Sequence, residues 1–179
     1  MIFKTKRLIL RQTVKDDALD IFEYSKNPNI GTNAGWQPHE TIQDTIETIE
    51  LLFSKENIWG IVLKETNKII GQAGFMDDPK REYSDVKMLG YALAEEHWGK
   101  GIMTEALTPI IKYAFQVLKV PLISAYCYPS NIRSKKLLTK FGFKLEGRLK
   151  YAEKIWTGQI LDNECWALEN PNKIMWNKK

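Results

Sequence analysis

His97-Trp98-Gly99-Lys100-Gly101-Ile102-Met103-Thr104-Glu105-Ala106 is the stretch on which the reading of this chain turns. An apolar, strand-like run, Val86 to Leu93, precedes it. Behind it Ile102, Met103, Ala106, Leu107, Ile110, Ile111, Ala114, Phe115 and Leu118 recur at helical spacing. A strand therefore hands over to a helix N-terminus at Gly99-Lys100-Gly101. The first turn of a helix carries backbone N–H groups without partners, at the positive end of the macrodipole. Two glycines without Cβ atoms let a ligand approach that backbone, which suits a phosphate or pyrophosphate. The same glycines also serve a loop that merely needs unusual dihedrals. The pattern is neither a P-loop nor a full dinucleotide fingerprint, whose third glycine would fall on Thr104.

Working outward, the 179 residues suit one domain, 1–179, with no linker or repeat dividing it. Hydrophobic residues are 44% of the chain and charged residues 27%, the balance of a globular protein. The net charge of +4 is too small to point to nucleic acid. No apolar run approaches the roughly 20 residues that span a bilayer. Met1 to Arg7 leads into a strand and not into a signal-peptide core. Cys127 and Cys165 show no metal spacing and no reason for a disulfide, so a reducing cytoplasm fits.

Upstream, Leu8-Ile9-Leu10 reads as a strand, and Ala18, Leu19, Ile21, Phe22 and Tyr24 as the apolar face of a short helix ending before Pro28. Asn29 to His39 reads as a loop, with Gly31, Gly35 and Pro38 as breakers and Trp36 as a packing plug or substrate wall. Thr41-x-x-Asp44 caps a second helix. Ile58 to Leu63 and Ile69 to Phe75 form a hairpin over Thr66-Asn67-Lys68. The long helix is expected from about Gly101 to Lys119, interrupted by Pro109. Downstream follow a buried strand from Leu122, a helix from Asn131 to Phe141 stopped by Gly142, and a strand from Phe143 to Gly147. Tyr151-Ala152-Glu153 reads as a connection, and Ile155 to Leu168 as further strand around a turn at Thr157-Gly158. Trp176 is a candidate anchor for the polar tail. Asn131, on its own chemistry, is a helix N-cap able to accept from the N–H of Ser134.

Trp98 to Ala106 resembles the acetyl-CoA motif of the GNAT N-acetyltransferases. Within that superfamily it is similar to the branch of ribosomal-protein N-terminal (serine/alanine) acetyltransferases. Trp98 stands where the general motif has Gln or Arg, and Met103 where it has a small residue. Asn131-x-x-Ser134-x-x-x-Leu138-x-x-x-Gly142-Phe143 resembles a second pattern of the superfamily, with Leu138 in place of the usual proton-donating tyrosine. The resemblance implies an α/β (α+β) fold: a mixed, twisted sheet of six or seven strands with about four helices. The sheet would splay between the strand ending at Leu93 and the strand beginning at Leu122.

Acetyl-CoA would enter that cleft as cosubstrate, with no metal. Its pantetheine would pair with the strand edge at Ala92 and Leu93. Its pyrophosphate would lie on Trp98, Gly99, Lys100, Gly101, Ile102, Met103 and Thr104, and Asn131 and Ser134 would contact its arm. Ser134 would protonate the leaving thiolate. Glu153 would be the base for the attacking amine, which must lose a proton to react. Trp36 and Glu153 would face the acceptor.

The implied reaction is direct acetyl transfer to a primary amine, foremost a protein or peptide N-terminal α-amine. Alternatives are a small amine (polyamine, amino-sugar antibiotic or metabolite) and a non-catalytic CoA-binding domain, kept open by Leu138. His39 and His97 lack the partners of a triad, and nothing beside Cys127 in sequence would activate its thiol for an acetyl-cysteine route. Monomer and homodimer both stand, because a hairpin near the C-terminus offers an edge for a second copy.

Overall fold

Alternation of apolar side chains builds one continuous sheet. A computed structural model describes residues 1–172 of the chain, so Trp176 lies outside the described residues. The strands are β1 (Phe3–Lys4), β2 (Leu8–Arg11), β3 (Ile58–Leu63), β4 (Lys68–Asp77), β5 (Lys87–Leu93), β6 (Leu122–Cys127), β7 (Lys144–Lys154) and β8 (Ile160–Glu169). They lie in the order β1-β2-β3-β4-β5-β6-β8-β7. Every neighbouring pair is antiparallel except β5 and β6. A parallel pair needs a crossover, and α4 (Ile102–Gln116) supplies it. The other helices are α1 (Ala18–Ser25), α2 (Pro28–Ala34), α3 (Ile42–Thr48) and α5 (Ile132–Lys140). Thr41 and Asp44 close a capping box on α3, which runs on as a π-helical turn over Ile49–Phe53.

The core lies between the sheet and α4. Ile102, Met103, Ala106, Leu107, Ile110, Ile111 and Ala114 make the buried face of that helix. They meet Leu8, Leu10, Ile61 and Ile123, none of which reaches solvent. Truncating such a leucine to alanine typically costs about 2–5 kcal/mol, from lost transfer energy and the cavity left behind. Pro109 sits inside α4.

Four expectations change. Eight strands and five α-helices are present among the described residues, against six or seven and about four. The loop from Asn29 to His39 contains α2. Asn27 caps it by accepting from the Asn29 N–H, and Pro28 occupies its first turn, where no donor is missed. Gly35, at φ +85°, ends it. The connection at Tyr151-Ala152-Glu153 is instead the end of β7, a strand of 11 residues that absorbs its polar middle by slipping register against β8. The long helix is shorter than its apolar pattern, ending at Gln116 where Val117 and Leu118 turn toward Tyr113.

The splay falls where the resemblance places it. β5 and β6 pair only at Lys87↔Ile123 and Met88↔Ser124, and beyond Met88 the strands part. The Ala94 N–H bonds the Ile70 carbonyl. With the register Gly71↔Leu93, this fixes the even-numbered residues of β5 as those that exchange hydrogen bonds with β4. The N–H of Ala92 is therefore used in the ladder. The backbone of Tyr91 and Leu93 is turned away from β4, toward the gap.

Candidate active site

A cavity of about 430 Å³ opens in that gap. β5 contributes Tyr91, Ala92 and Leu93 to its wall. The turn and first residues of α4 contribute Trp98, Gly99, Gly101, Ile102, Met103 and Thr104. The opposite wall is α5 with its cap, through Asn131 and Ser134. The side chain of Lys100 is exposed and outside this lining, although its carbonyl accepts from Arg7 Nη1 at 3.0 Å. His97 lines the cavity, whereas His39 is held between Thr45 and Thr48 away from it.

The turn before α4 has the geometry its glycines suggest. Gly99 and Gly101 sit at φ +73° and +72°, a region that costs other residues about 1–2 kcal/mol. A Cβ on Gly99 would meet nothing within 4 Å, so the constraint there is the backbone angle, and the space is open to a ligand. Gly101 caps α4 with no side-chain partner for the first-turn N–H groups. Arg7 and Glu105 clamp the turn from behind. Glu105 accepts from Thr5 Oγ1 at 2.6 Å and from the N–H and Nε of Arg7, both at 2.7 Å. Burial opposes ionisation of Glu105, but these donors outweigh it and hold the carboxyl below its ordinary value.

Trp98 braces both sides of the cleft mouth. Its Nε1 donates to the Leu93 carbonyl at 2.8 Å, and the Arg133 guanidinium stacks 4.3 Å from its ring centroid. Arg133, Lys136 and Lys140 repeat at i, i+3 and i+7 on α5 and all line the cavity. Uncapped N–H groups, an open glycine turn and three cations form a donor set that fits the phosphates of a CoA thioester.

Deeper in, the Asn131 side chain accepts from the Ser134 N–H at 3.1 Å, the cap its sequence suggests, and its Nδ2 donates to the Asn33 carbonyl of α2. Ser134 Oγ lies 2.7 Å from the Tyr91 hydroxyl. Cys127 is the buried neighbour of this pair; burial pushes its thiol up, which disfavours the thiolate an acetyl-cysteine route requires. Leu138, in the usual tyrosine position, is packed into the core at 1% exposure.

Glu153 and Trp36 are not part of the cavity wall. Glu153 is half-buried on β7 and accepts from Asn163 Nδ2 at 3.2 Å. The other side of its carboxylate faces the end of α2. A Cβ built on Gly35 would lie 3.1 Å from Glu153 Oε1 and 3.2 Å from the Tyr128 hydroxyl. Ala34, one residue earlier, lines the cavity, so Glu153 and the cleft meet across the last turn of α2. Tyr128 Oη lies beside Glu153 without forming a good hydrogen bond, and burial followed by the Glu153 charge pushes this phenol up. Trp36 Nε1 is likewise buried without a partner.

Tyr91, Tyr128, Asn163, Arg7 and the α5 cations Arg133, Lys136 and Lys140 are the residues sequence reasoning missed. Strand alternation in β5 carries a signal for Tyr91. The basic stripe on α5 is visible at helical spacing. Nothing local marks Arg7 or Asn163, which act through contacts distant in sequence.

This fold and cleft are those of an acyl-CoA-binding transferase, and similarity names the class. Residues 7–144 match the acetyltransferase (GNAT) domain family. An uncharacterised N-acetyltransferase of Bacillus licheniformis, p20, is 32% identical over 92% of this chain and 93% of its own. Among solved structures, a ribosomal-protein-S5-alanine acetyltransferase from Vibrio fischeri superposes with a TM-score of 0.76 at 26% identity, covering 96% of this chain and 98% of that one. A ribosomal L7/L12 α-N-protein acetyltransferase in complex with coenzyme A superposes with a TM-score of 0.80 at 22% identity, covering 94% and 98%. The chain belongs to the GNAT acetyltransferase family. It is an N-acetyltransferase with acetyl-CoA as cosubstrate.

Proposed function

We propose that this chain, as a single domain over 1–179, acetylates the N-terminal α-amine of a protein or peptide. The observation that carries the reading is the setting of Glu153. Its carboxylate is held by Asn163 and faces the Tyr128 hydroxyl and the last turn of α2, which itself lines the cavity. A peptide N-terminus brings an amine for the carboxylate and backbone groups for the phenol. The likeness to a ribosomal-protein-S5-alanine acetyltransferase along nearly the full length of both chains supports the same reading.

Acetyl-CoA, when bound, supplies an acetyl group activated as a thioester. The residues of this chain provide the rest. The Gly99–Thr104 turn, with Arg133, Lys136 and Lys140, holds the phosphates. The backbone of Tyr91 and Leu93 offers the edge for the pantetheine amides, and the Leu93 N–H is placed to polarise the thioester carbonyl. The Ala92 side chain contributes to the wall. Glu153 removes the amine proton, directly or through a water. Ser134 gives a proton to the departing sulfur. Trp36 and the last turn of α2 close over the acceptor. The working compartment is a reducing cytoplasm, and the chain acts as a monomer or a homodimer.

The test is coenzyme A thiol release from acetyl-CoA with three acceptor groups: peptides with free Ser, Ala or Met N-termini, spermidine, and amino-sugar antibiotics. Saturable release with one peptide class is expected. Release with a small amine alone would overturn the protein acceptor while leaving the acetyl transfer intact.

A further inference from the structure

We infer that Tyr91 aims the Ser134 hydroxyl into the cleft, so that the phenol which Leu138 cannot supply from α5 acts instead from β5, through the serine. The inference rests on the reading of Ser134 as the proton donor to the leaving sulfur.

The two hydroxyls are 2.7 Å apart, and geometry alone lets either donate. Chemistry decides the direction. A phenol is a stronger donor than an aliphatic hydroxyl, and a serine oxygen with two lone pairs is the better acceptor. Among the described residues, Ser134 is the one hydrogen-bond partner of Tyr91 Oη. With Tyr91 donating, the single Ser134 hydrogen cannot point back at Tyr91. The backbone N–H of Ser134 is already committed to Asn131, which fixes the Cα from which the side chain springs. The remaining directions for that hydrogen are the buried Cys127 sulfur beside it and the cavity to whose wall both residues contribute. Donation by Tyr91 also polarises the serine O–H, making it a stronger donor to a thiolate.

Tyr91 is thus a positioning residue and not the proton source. Burial pushes its phenol above the ordinary value, so a tyrosinate does not persist and no net proton leaves Tyr91 over the turnover. In that step the Ser134 O–H bond breaks as the S–H bond forms. The serine regains a proton from solvent, and Glu153 returns to solvent the proton it took from the amine, so the step closes with no net change on the protein.

The probe is coenzyme A itself, so no acceptor need be known. The pKa of the bound thiol is read from thiolate ultraviolet absorbance, as the difference between complexes with coenzyme A and with desulfo-coenzyme A, which cancels Cys127 and Cys165. A thiolate that receives a hydrogen bond titrates lower. Ser134→Ala is expected to raise the bound thiol by about one unit, the size of one hydrogen bond to a charged group. Tyr91→Phe is expected to raise it by about half a unit in the native background. In the Ser134→Ala background the same change should do nothing, a coupling that a merely structural tyrosine would not produce. An unchanged value in Tyr91→Phe beside a raised one in Ser134→Ala overturns the aiming role alone. Equal effects of Tyr91→Phe in both backgrounds overturn it too. No change in Ser134→Ala removes the serine as donor, and the inference with it. If Tyr91→Phe does not fold, a crystal structure of the native coenzyme A complex decides. Ser134 Oγ within hydrogen-bond reach of both Tyr91 Oη and the coenzyme sulfur supports the inference; a serine turned from either overturns it.

Discussion

β5 and β6 pair at one end and part at the other, and the two ends are built from opposite chemistry. At the paired end a buried carboxylate is surrounded by protein donors. The Asp78 side chain is fully buried just beyond β4 and accepts from Ser124 Oγ at 2.6 Å, Tyr126 Oη at 2.9 Å and the Lys80 N–H at 2.8 Å. Arg81 Nε stands 3.2 Å away and also reaches Glu146 on β7. At the splayed end the strand edges part, and donors face a cavity: the Leu93 backbone, the Ser134 hydroxyl and the first turn of α4. A buried polar group left without a partner is costly. One end meets that cost with protein atoms; the other leaves room for a ligand to meet it.

Breaking the closed end should have the largest effect. Asp78→Ala strands Ser124, Tyr126 and Arg81 together, and removing one member of such a buried set costs about 3 kcal/mol. Chemical denaturation should show that loss, and a cost below about 1 kcal/mol would mean the cluster does not hold the strands together. Its pH dependence sharpens the point. Burial opposes ionisation of Asp78, but Ser124, the Lys80 N–H, Tyr126 and Arg81 outweigh it and hold the folded carboxyl below its ordinary value. The stability it confers is therefore present above the unfolded value of about 3.9 and is lost as pH falls through the lower folded one. Asp78→Asn should lack that acid-side decline.

At the open end, Glu153→Gln should lower kcat about 100-fold with little change in stability, as expected for loss of a general base. Thiol release measured against pH would check this, and undiminished turnover would assign the base elsewhere. Gly101→Ala should come next. It places a Cβ at φ +72° and disturbs the turn before α4, so the KM for acetyl-CoA should rise about tenfold. A rise in the acceptor KM instead would put the turn on the wrong side of the reaction. Arg7→Ala should be mildest, because its side chain is 41% exposed. Freed from Lys100 and Glu105, the turn should cost about threefold in acetyl-CoA KM, at roughly the strength of one partly solvated ion pair.

Much of the open end is legible in the sequence, because it rests on local rules. Gly-x-Gly before a helical apolar repeat dictates a left-handed turn and a bare helix start. Asn131 ahead of Ser134 dictates a cap. The closed end is nearly silent: Asp78, Ser124 and Glu146 are ordinary polar residues until the sheet stacks their strands. Local rules also misread two places. Pro28 does follow the end of one helix, but its fixed φ also begins the next, so Asn29 to Ala34 is helix where Gly31 and Gly35 suggest a loop. Leu145, Leu149 and Tyr151 alternate with charged residues, but Gly147 interrupts the pattern, and the run on to Lys154 comes from pairing with β8.

The sequence by itself determined the turn at 99–101, the caps at Thr41 and Asn131, the core face of α4 and the family, since each depends on residues a few positions apart. Only the tertiary structure decided which hydroxyl meets Ser134, that Glu153 faces Gly35 and Tyr128 and does not line the cleft, and that Arg7 braces the turn before α4. Those contacts join residues as far apart as 118 positions, Gly35 with Glu153. Their distances follow from strand order and register, which are set by burial summed over the whole sheet.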